Sequence, residues 1–179
     1  GSESIIAAPH RRRHLGRYLV DTLVALQVPT WHPRVRLPGQ AQRACLSSRW
    51  RSRGVETRDY DVIVYGATGF TGRLVAEHML ATYDTGGDVR WALAGRSKTK
   101  LEGVRTDIGA SADLPLIVAD ASDPASLAAM ARSARVIITT VGPYQLYGEP
   151  LVAACVEAGT DSVDLCGEPA WLAELIGTY

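Results

Sequence analysis

Residues 60–73 read YDVIVYGATGFTGR, an apolar run that breaks into Gly66, Gly69 and Gly72, three glycines spaced three apart. The run DVIVY at 61–65 suits a strand covered on both faces. Behind the glycines, residues 70–82 place Leu74, Val75, His78 and Met79 at helical spacing, with His78 expected to be a packed or surface side chain. Each glycine then has its own physical role. Gly66 permits a sharp exit from the strand, Gly69 brings no Cβ toward a phosphate, and Gly72 lets the helix lie close to the sheet. Backbone N–H groups near Gly69, Phe70 and Thr71 are expected to face outward, where the helix dipole favours an anion. Thr68 and Thr71 add hydroxyl donors. Three glycines after a strand also make an ordinary tight turn; the apolar strand before them and the helix after them are what point to a dinucleotide phosphate cradle.

The same punctuation repeats outward from this stretch. Apolar runs recur as VRWALA (89–94), LPLIVA (114–119), RVIITT (135–140) and DSVDL (161–165). Helical segments are expected between them. Residues 97–108 set Leu101, Val104 and Ile108 on one side, and 124–133 opens behind Asp123 as a cap with proline in first position. A helix over 150–158 starts at Pro150 and stops at Gly159, and EPAWLAELIGTY begins one more. Alternating units of this length specify an α/β fold over 60–179, a Rossmann-like doubly wound parallel sheet of at least five strands.

In such sheets ligands lie across the C-terminal strand edges. At the second of these, an NAD site places an acid on the ribose hydroxyls, whereas ALAGRSK has Arg96 there, followed by Ser97 and Lys98. A guanidinium suits a 2′-phosphate through forked, charge-assisted bonds, so the expected cofactor is NADP(H); the competing assignment is an arginine that merely caps a solvated loop. Asp120 suits the adenine amino group, with Ala121 against the ring, although Asp120 also suits the start of the next helix. Thr140, Val141, Gly142 and Pro143 would bring backbone to the nicotinamide ribose. Tyr144 and Tyr147 are expected beside the hydride-transfer region and are the two candidate proton donors. Neither has a lysine four residues on, since Gly148 and Leu151 stand there, so a Tyr/Lys dehydrogenase pair is absent.

Residues 1–59 differ in kind. They carry eleven arginines, no lysine and four acids, a net +7, while residues 60–179 carry eight basic and fifteen acidic groups, a net −7. Apart from a short amphipathic helix expected over 15–28, this extension is rich in arginine and proline without sustained period, and is expected to be largely irregular. Its arginines are not interleaved with aromatics as in a nucleic-acid module, so nucleic acid is not the expected partner. His10 and His14 lack a third metal ligand, and Cys45, Cys155 and Cys166 form no CxxC pair, so no metal site is expected and the thiols read as reduced, in a cytoplasmic protein. No apolar run approaches the roughly 20 residues of a membrane span. The Gly-Ser opening reads as an expression scar or a fragment boundary.

Residues 60–80, WALAGRS at 91–97 and VADASDP through DLCGEP at 118–169 together resemble the NADP-binding N-terminal domain of the saccharopine dehydrogenase-like oxidoreductases, most of all the bacterial branch that includes trans-acting enoyl reductases. That resemblance implies an NADP(H)-dependent oxidoreductase, expected to act as a reductase, with Gly66 to Gly72 as phosphate loop, Arg96 at the 2′-phosphate and the 141–144 loop on the nicotinamide side. It also implies that a small-molecule or lipid-like substrate is held by a second, α+β domain not present in this sequence, and that the whole protein forms a homodimer. The 179-residue chain alone is then expected to bind cofactor and turn over little or nothing. The competing function is a non-catalytic dinucleotide-sensing or scaffolding module.

Overall fold

The structure is a computed structural model and describes residues 58–179. The expectations for residues 1–57, including the helix over 15–28, His10, His14 and Cys45, lie outside the described residues. The chain runs β1 (Tyr60–Tyr65), α1 (Phe70–Tyr83), β2 (Trp91–Gly95), α2 (Lys98–Asp107), β3 (Leu116–Val118), α3 (Pro124–Ser133), β4 (Ala134–Thr139), α4 (Tyr144–Ala158), β5 (Asp161–Val163) and α5 (Pro169–Thr178). The five strands form one sheet in the order β3-β2-β1-β4-β5, every neighbouring pair parallel. The expected α/β doubly wound architecture is the one observed.

Strand alternation builds two cores from one sheet. Val64, Leu93 and Ile138 pack with Val75 and Met79 of α1 and Leu101 of α2. Their immediate neighbours Ile63, Ala92 and Ile137 turn to the other face, against Leu127 and Met130 of α3 and Leu151 of α4. Ile63, Leu93, Leu101, Leu127, Ile137 and Leu151 are essentially inaccessible, and full burial of such a side chain stabilises by about 1.5–3 kcal/mol. The continuous apolar runs in the sequence are therefore the mark of strands covered on both sides.

Element ends differ from the sequence expectation where a distant contact intervenes. Helix α4 starts at Tyr144, not Pro150, and carries Pro150 inside it. Tyr144, Gly148, Leu151 and Cys155 recur on one buried face, and Gly148 lies so close to Trp171 of α5 that an added Cβ would sit 2.5 Å from its ring. That packing outweighs the bond lost at proline, whose missing N–H would have served the carbonyl of Leu146, an exposed residue. Strand β5 stops at Val163, and two residues on the N–H of Leu165 donates to the Tyr144 hydroxyl at 3.2 Å. Strand β3 is likewise only three residues, following Pro115, whose carbonyl accepts from Leu93 N–H.

At the N-terminal edge of the sheet, Arg58 docks on the domain although it stands before the sequence boundary at 59/60. Its guanidinium donates to the carbonyls of Ala131 (3.2 Å) and Arg132 (2.6 Å) at the end of α3 and to that of Ala158 at the end of α4. The single hydroxyl proton of buried Thr160 is shared between the Ala131 and Ala134 carbonyls, at 2.6 and 3.1 Å from its oxygen. These carbonyls lie at the ends of α3 and α4 and the start of β4, and a cation at a helix C-terminus also meets the negative end of the dipole.

Two stability measurements follow from these contacts. Arg58→Ala is expected to lower unfolding free energy by about 1–3 kcal/mol, the scale of hydrogen bonds from a charged donor, with little change in cofactor affinity; an unchanged urea midpoint would mean the cap contributes nothing. Gly72→Ala places a Cβ 2.1 Å from the Gly66 carbonyl oxygen and 2.7 Å from its carbon. Because neither atom belongs to a flexible side chain, a loss of about 2 kcal/mol or more is expected in urea unfolding, and a loss below about 0.5 kcal/mol would show that the loop can open without strain.

Candidate dinucleotide site

Strand β1 lies between β2 and β4, with Tyr65 registered on Ala94 on one side and Thr139 on the other. The chain winds outward from β1 to β3 and then returns to β4 on β1's other edge. Loops after β1, β2, β3 and β4 thus open side by side at the C-terminal edge, at the point where the winding reverses, which is where open α/β sheets hold ligands.

The loop after β1 is held by backbone. Gly66 N–H and Ala67 N–H both reach the Ala94 carbonyl, at 2.9 and 3.2 Å. Gly66 has φ +87°, a conformation that side chains disfavour. Gly72 rests on the Gly66 carbonyl, and Thr140 clamps the same point, its hydroxyl within 3.2 Å of the carbonyls of Tyr65 and Gly66 and its N–H donating to Tyr65 at 2.9 Å. One expectation is corrected here. Gly69 N–H does not face outward but closes the turn onto the Gly66 carbonyl at 2.9 Å. The N–H groups of Phe70, Thr71 and Gly72 instead make no hydrogen bond among the described residues, as the first turn of a helix requires. No acid stands in that turn. Phe70 is 73% exposed and Thr68 exposed, with Thr71 half-buried and Gly72 buried, so unpartnered donors stand at a helix start whose dipole end is positive.

Arg96 follows the last residue of β2, is exposed, and pairs with no carboxylate among the described residues. Ser97 caps α2, its oxygen accepting from Lys100 N–H at 3.4 Å while its own hydrogen stays available; Lys98 is exposed at the first helical position. Asp120 takes part in the turn toward α3. One carboxylate oxygen accepts from the N–H and hydroxyl of Ser122 at 2.9 and 2.7 Å, and these bonds hold its pKa below the ordinary carboxylate value, with Arg96 adding in the same direction against some burial. Asp123, not Asp120, is the cap of α3, accepting from Ala125 N–H at 3.0 Å. Asp120 keeps its second oxygen beside half-buried Ala121.

Beyond Thr140, Val141 is half-buried and Gly142 and Pro143 are exposed, joined by a cis peptide bond. Tyr144 departs from its expected position as a proton donor. Its hydroxyl donates to the Thr139 carbonyl and accepts from Leu165 N–H, both at 3.2 Å, its ring lies 5.9 Å from that of Trp171, and burial raises its pKa. It joins α4 to the segment after β5. Tyr147 is 44% exposed and carries no such bonds among the described residues.

Sequence reasoning misses Glu168. Its carboxylate accepts from Gln145 N–H at 3.2 Å, capping α4 from 23 residues away, while its own N–H donates to Cys166 Sγ at 3.3 Å. The one signal for it in the sequence is that α4 brings no Ser, Thr, Asp or Asn of its own to that end. Burial pushes the Cys155 thiol up to about 12, and raises that of Cys166 against the Glu168 hydrogen bond, so neither is a ready thiolate. Among the described residues no group of three His, Cys, Asp or Glu side chains could hold a metal ion, and no helix is long and apolar enough to cross a membrane.

Comparison with known proteins bears on the same stretch. The trans-acting enoyl reductase of Mycobacterium tuberculosis (strain ATCC 25618 / H37Rv) is 54% identical over 123 residues, covering 68% of this chain and 29% of that protein. That of Mycobacterium leprae is 55% identical over 114 residues, 63% of this chain and 27% of that protein. The chain therefore spans less than a third of the length of the curated relatives it matches. Among solved structures, apo saccharopine dehydrogenase (L-Glu forming) from Saccharomyces cerevisiae superposes with a TM-score of 0.51 at 21% identity, over 65% of this chain and 24% of that one, a likeness of fold. A sequence profile of the saccharopine dehydrogenase NADP binding domain matches residues 62–175, from the second residue of the apolar strand DVIVY into α5, and this chain belongs to that family.

Proposed function

We propose that this chain is the cofactor-holding part of an NADP(H)-dependent oxidoreductase that works as a reductase. The observation that carries the proposal is Arg96, exposed and without a carboxylate partner among the described residues, directly after β2, where an NAD site needs an acid. The family to which the chain belongs is defined by NADP binding, and the residues fit that group: the unpartnered N–H donors at the start of α1 would hold the pyrophosphate, and Arg96, Ser97 and Lys98 would hold the 2′-phosphate. Asp120 and Ala121 would take the adenine, and residues 140–143 would border the nicotinamide ribose. When bound, NADPH supplies a hydride. The chain's own residues bind and orient it, and Tyr147 is the remaining candidate to hold a proton near that end.

The relatives named trans-acting enoyl reductase support a carbon–carbon double bond of an enoyl group as the bond reduced, on a small-molecule or lipid-like substrate. Their greater length supports a second domain that would hold that substrate; the reading is completed by a homodimer of the whole protein in the cytoplasm, where free Cys155 and Cys166 would stay reduced. A sensing or scaffolding role is not favoured by relatives that bear the name of an enzyme.

Fluorescence titration of the chain with NADPH and NADH tests the proposal. NADPH should bind more tightly, and Arg96→Ala should weaken it by about 10- to 100-fold, the scale of losing charge-assisted hydrogen bonds, while NADH changes by less than about threefold. No binding of either nucleotide, or tighter binding of NADH, would contradict it.

A further inference from the structure

Tyr65, the last residue of β1, has no role in the site as described so far. Strand alternation turns its ring away from α1, into the layer with Ala92, Ala94, Ala119 and Leu127. The alanines at the ends of β2 and β3 leave room for a six-membered ring where larger side chains would fill the space, and only 3% of the residue is exposed.

Its hydroxyl is unlike that of Tyr144, since it makes no hydrogen bond among the described residues. Nor is it sealed: among the described residues the fully buried side-chain atoms without a partner are Arg58 Nε, Thr85 Oγ1 and Arg135 Nε, and the phenol oxygen is not one of them. Ala94 is two residues before Arg96, and Ala119 is the residue before Asp120. The phenol senses both charges: burial and then Asp120 push its pKa up to about 12, with Arg96 acting the other way. At neutral pH it is therefore an uncharged donor, held by a packed ring at the adenosine end of the crevice.

We propose that Tyr65 is a specificity-determining residue of this site, its phenol O–H donating to the 2′-phosphate that Arg96 also holds. The inference rests on the NADP(H) assignment above and adds a donor to it. A tyrosine fixed by its ring loses little side-chain freedom on binding, and a neutral donor supplements Arg96 without repelling it.

Tyr65→Phe removes only the oxygen. Titrated in the 179-residue chain, it should raise the Kd for NADPH by about tenfold, the scale of one hydrogen bond to a charged group, and leave that for NADH within about twofold. Combined with Arg96→Ala, its effect on NADPH should fall below the product of the two single effects, because both act on one phosphate. An unchanged NADPH-to-NADH ratio in Tyr65→Phe, in a chain whose native form prefers NADPH, overturns the role of Tyr65 and leaves the cofactor assignment standing; a native chain without that preference overturns both. If Tyr65→Phe fails to fold, NMR of the native chain with 13C-labelled tyrosine rings decides: the Tyr65 Cζ signal should move on saturation with NADPH and stay in place with NADH, and equal shifts with both would refute the proposal.

Discussion

A Cβ on residue 72 would lie 2.1 Å from the carbonyl oxygen of Gly66, a distance that a Cβ and another heavy atom do not sustain, and the site depends on that closeness. With glycine there, the first turn of α1 drops onto the end of β1. The Gly66 carbonyl then meets the Gly69 N–H and the Thr140 hydroxyl, which joins the loop after β1 to the end of β4. Gly66 itself is in a left-handed conformation with φ +87°, and its amide and that of Ala67 are bound to Ala94 of β2. Three strand ends are therefore fixed to one turn by these bonds, and the donors of Phe70, Thr71 and Gly72 are left without a partner among the described residues.

The parallel sheet also sorts charge. Every helix that follows a strand begins at the C-terminal edge and ends at the opposite one, so the positive dipole ends gather at the crevice and the negative ends at the far side. The far side is answered by Arg58 and Thr160, which take up the carbonyls of Ala131, Arg132, Ala134 and Ala158. At the crevice the answer is mixed. Glu168 reaches back to cap α4 and Ser97 caps α2, but the start of α1 is left without a side-chain cap. An end with its N–H groups unanswered by protein is suited to an external anion.

The parts legible in the sequence are those whose cause is local. The apolar run into Gly66 and the Asp123-Pro124 pair each name their own conformation, and α3 begins where that pair places it. What escapes a sequence reading has a distant cause. Pro150 suggests a helix start by its own chemistry, yet packing of Gly148 on Trp171 carries α4 back to Tyr144. The hydroxyl of Tyr144 cannot be assigned from its neighbours because its partners are Thr139 and, 21 residues on, Leu165. Spacing alone gives Gly69 an outward N–H, whereas the turn uses that bond internally. Arg58 stands in an arginine-rich stretch whose composition conceals its separate role as a cap, and Tyr65 reads in the sequence only as one more residue of an apolar strand.

The most direct measurement of whether the turn at Gly66 makes an anion cradle is the amide map of the chain by 15N–1H NMR as NADPH is added. The largest shifts should fall on the N–H groups of Phe70, Thr71 and Gly72, with that of Gly69, already bonded to the Gly66 carbonyl, moving less, and a second group of shifts should follow β2 at Arg96 to Lys98. Shifts confined to other surfaces, with the start of α1 unmoved at saturation, would contradict it.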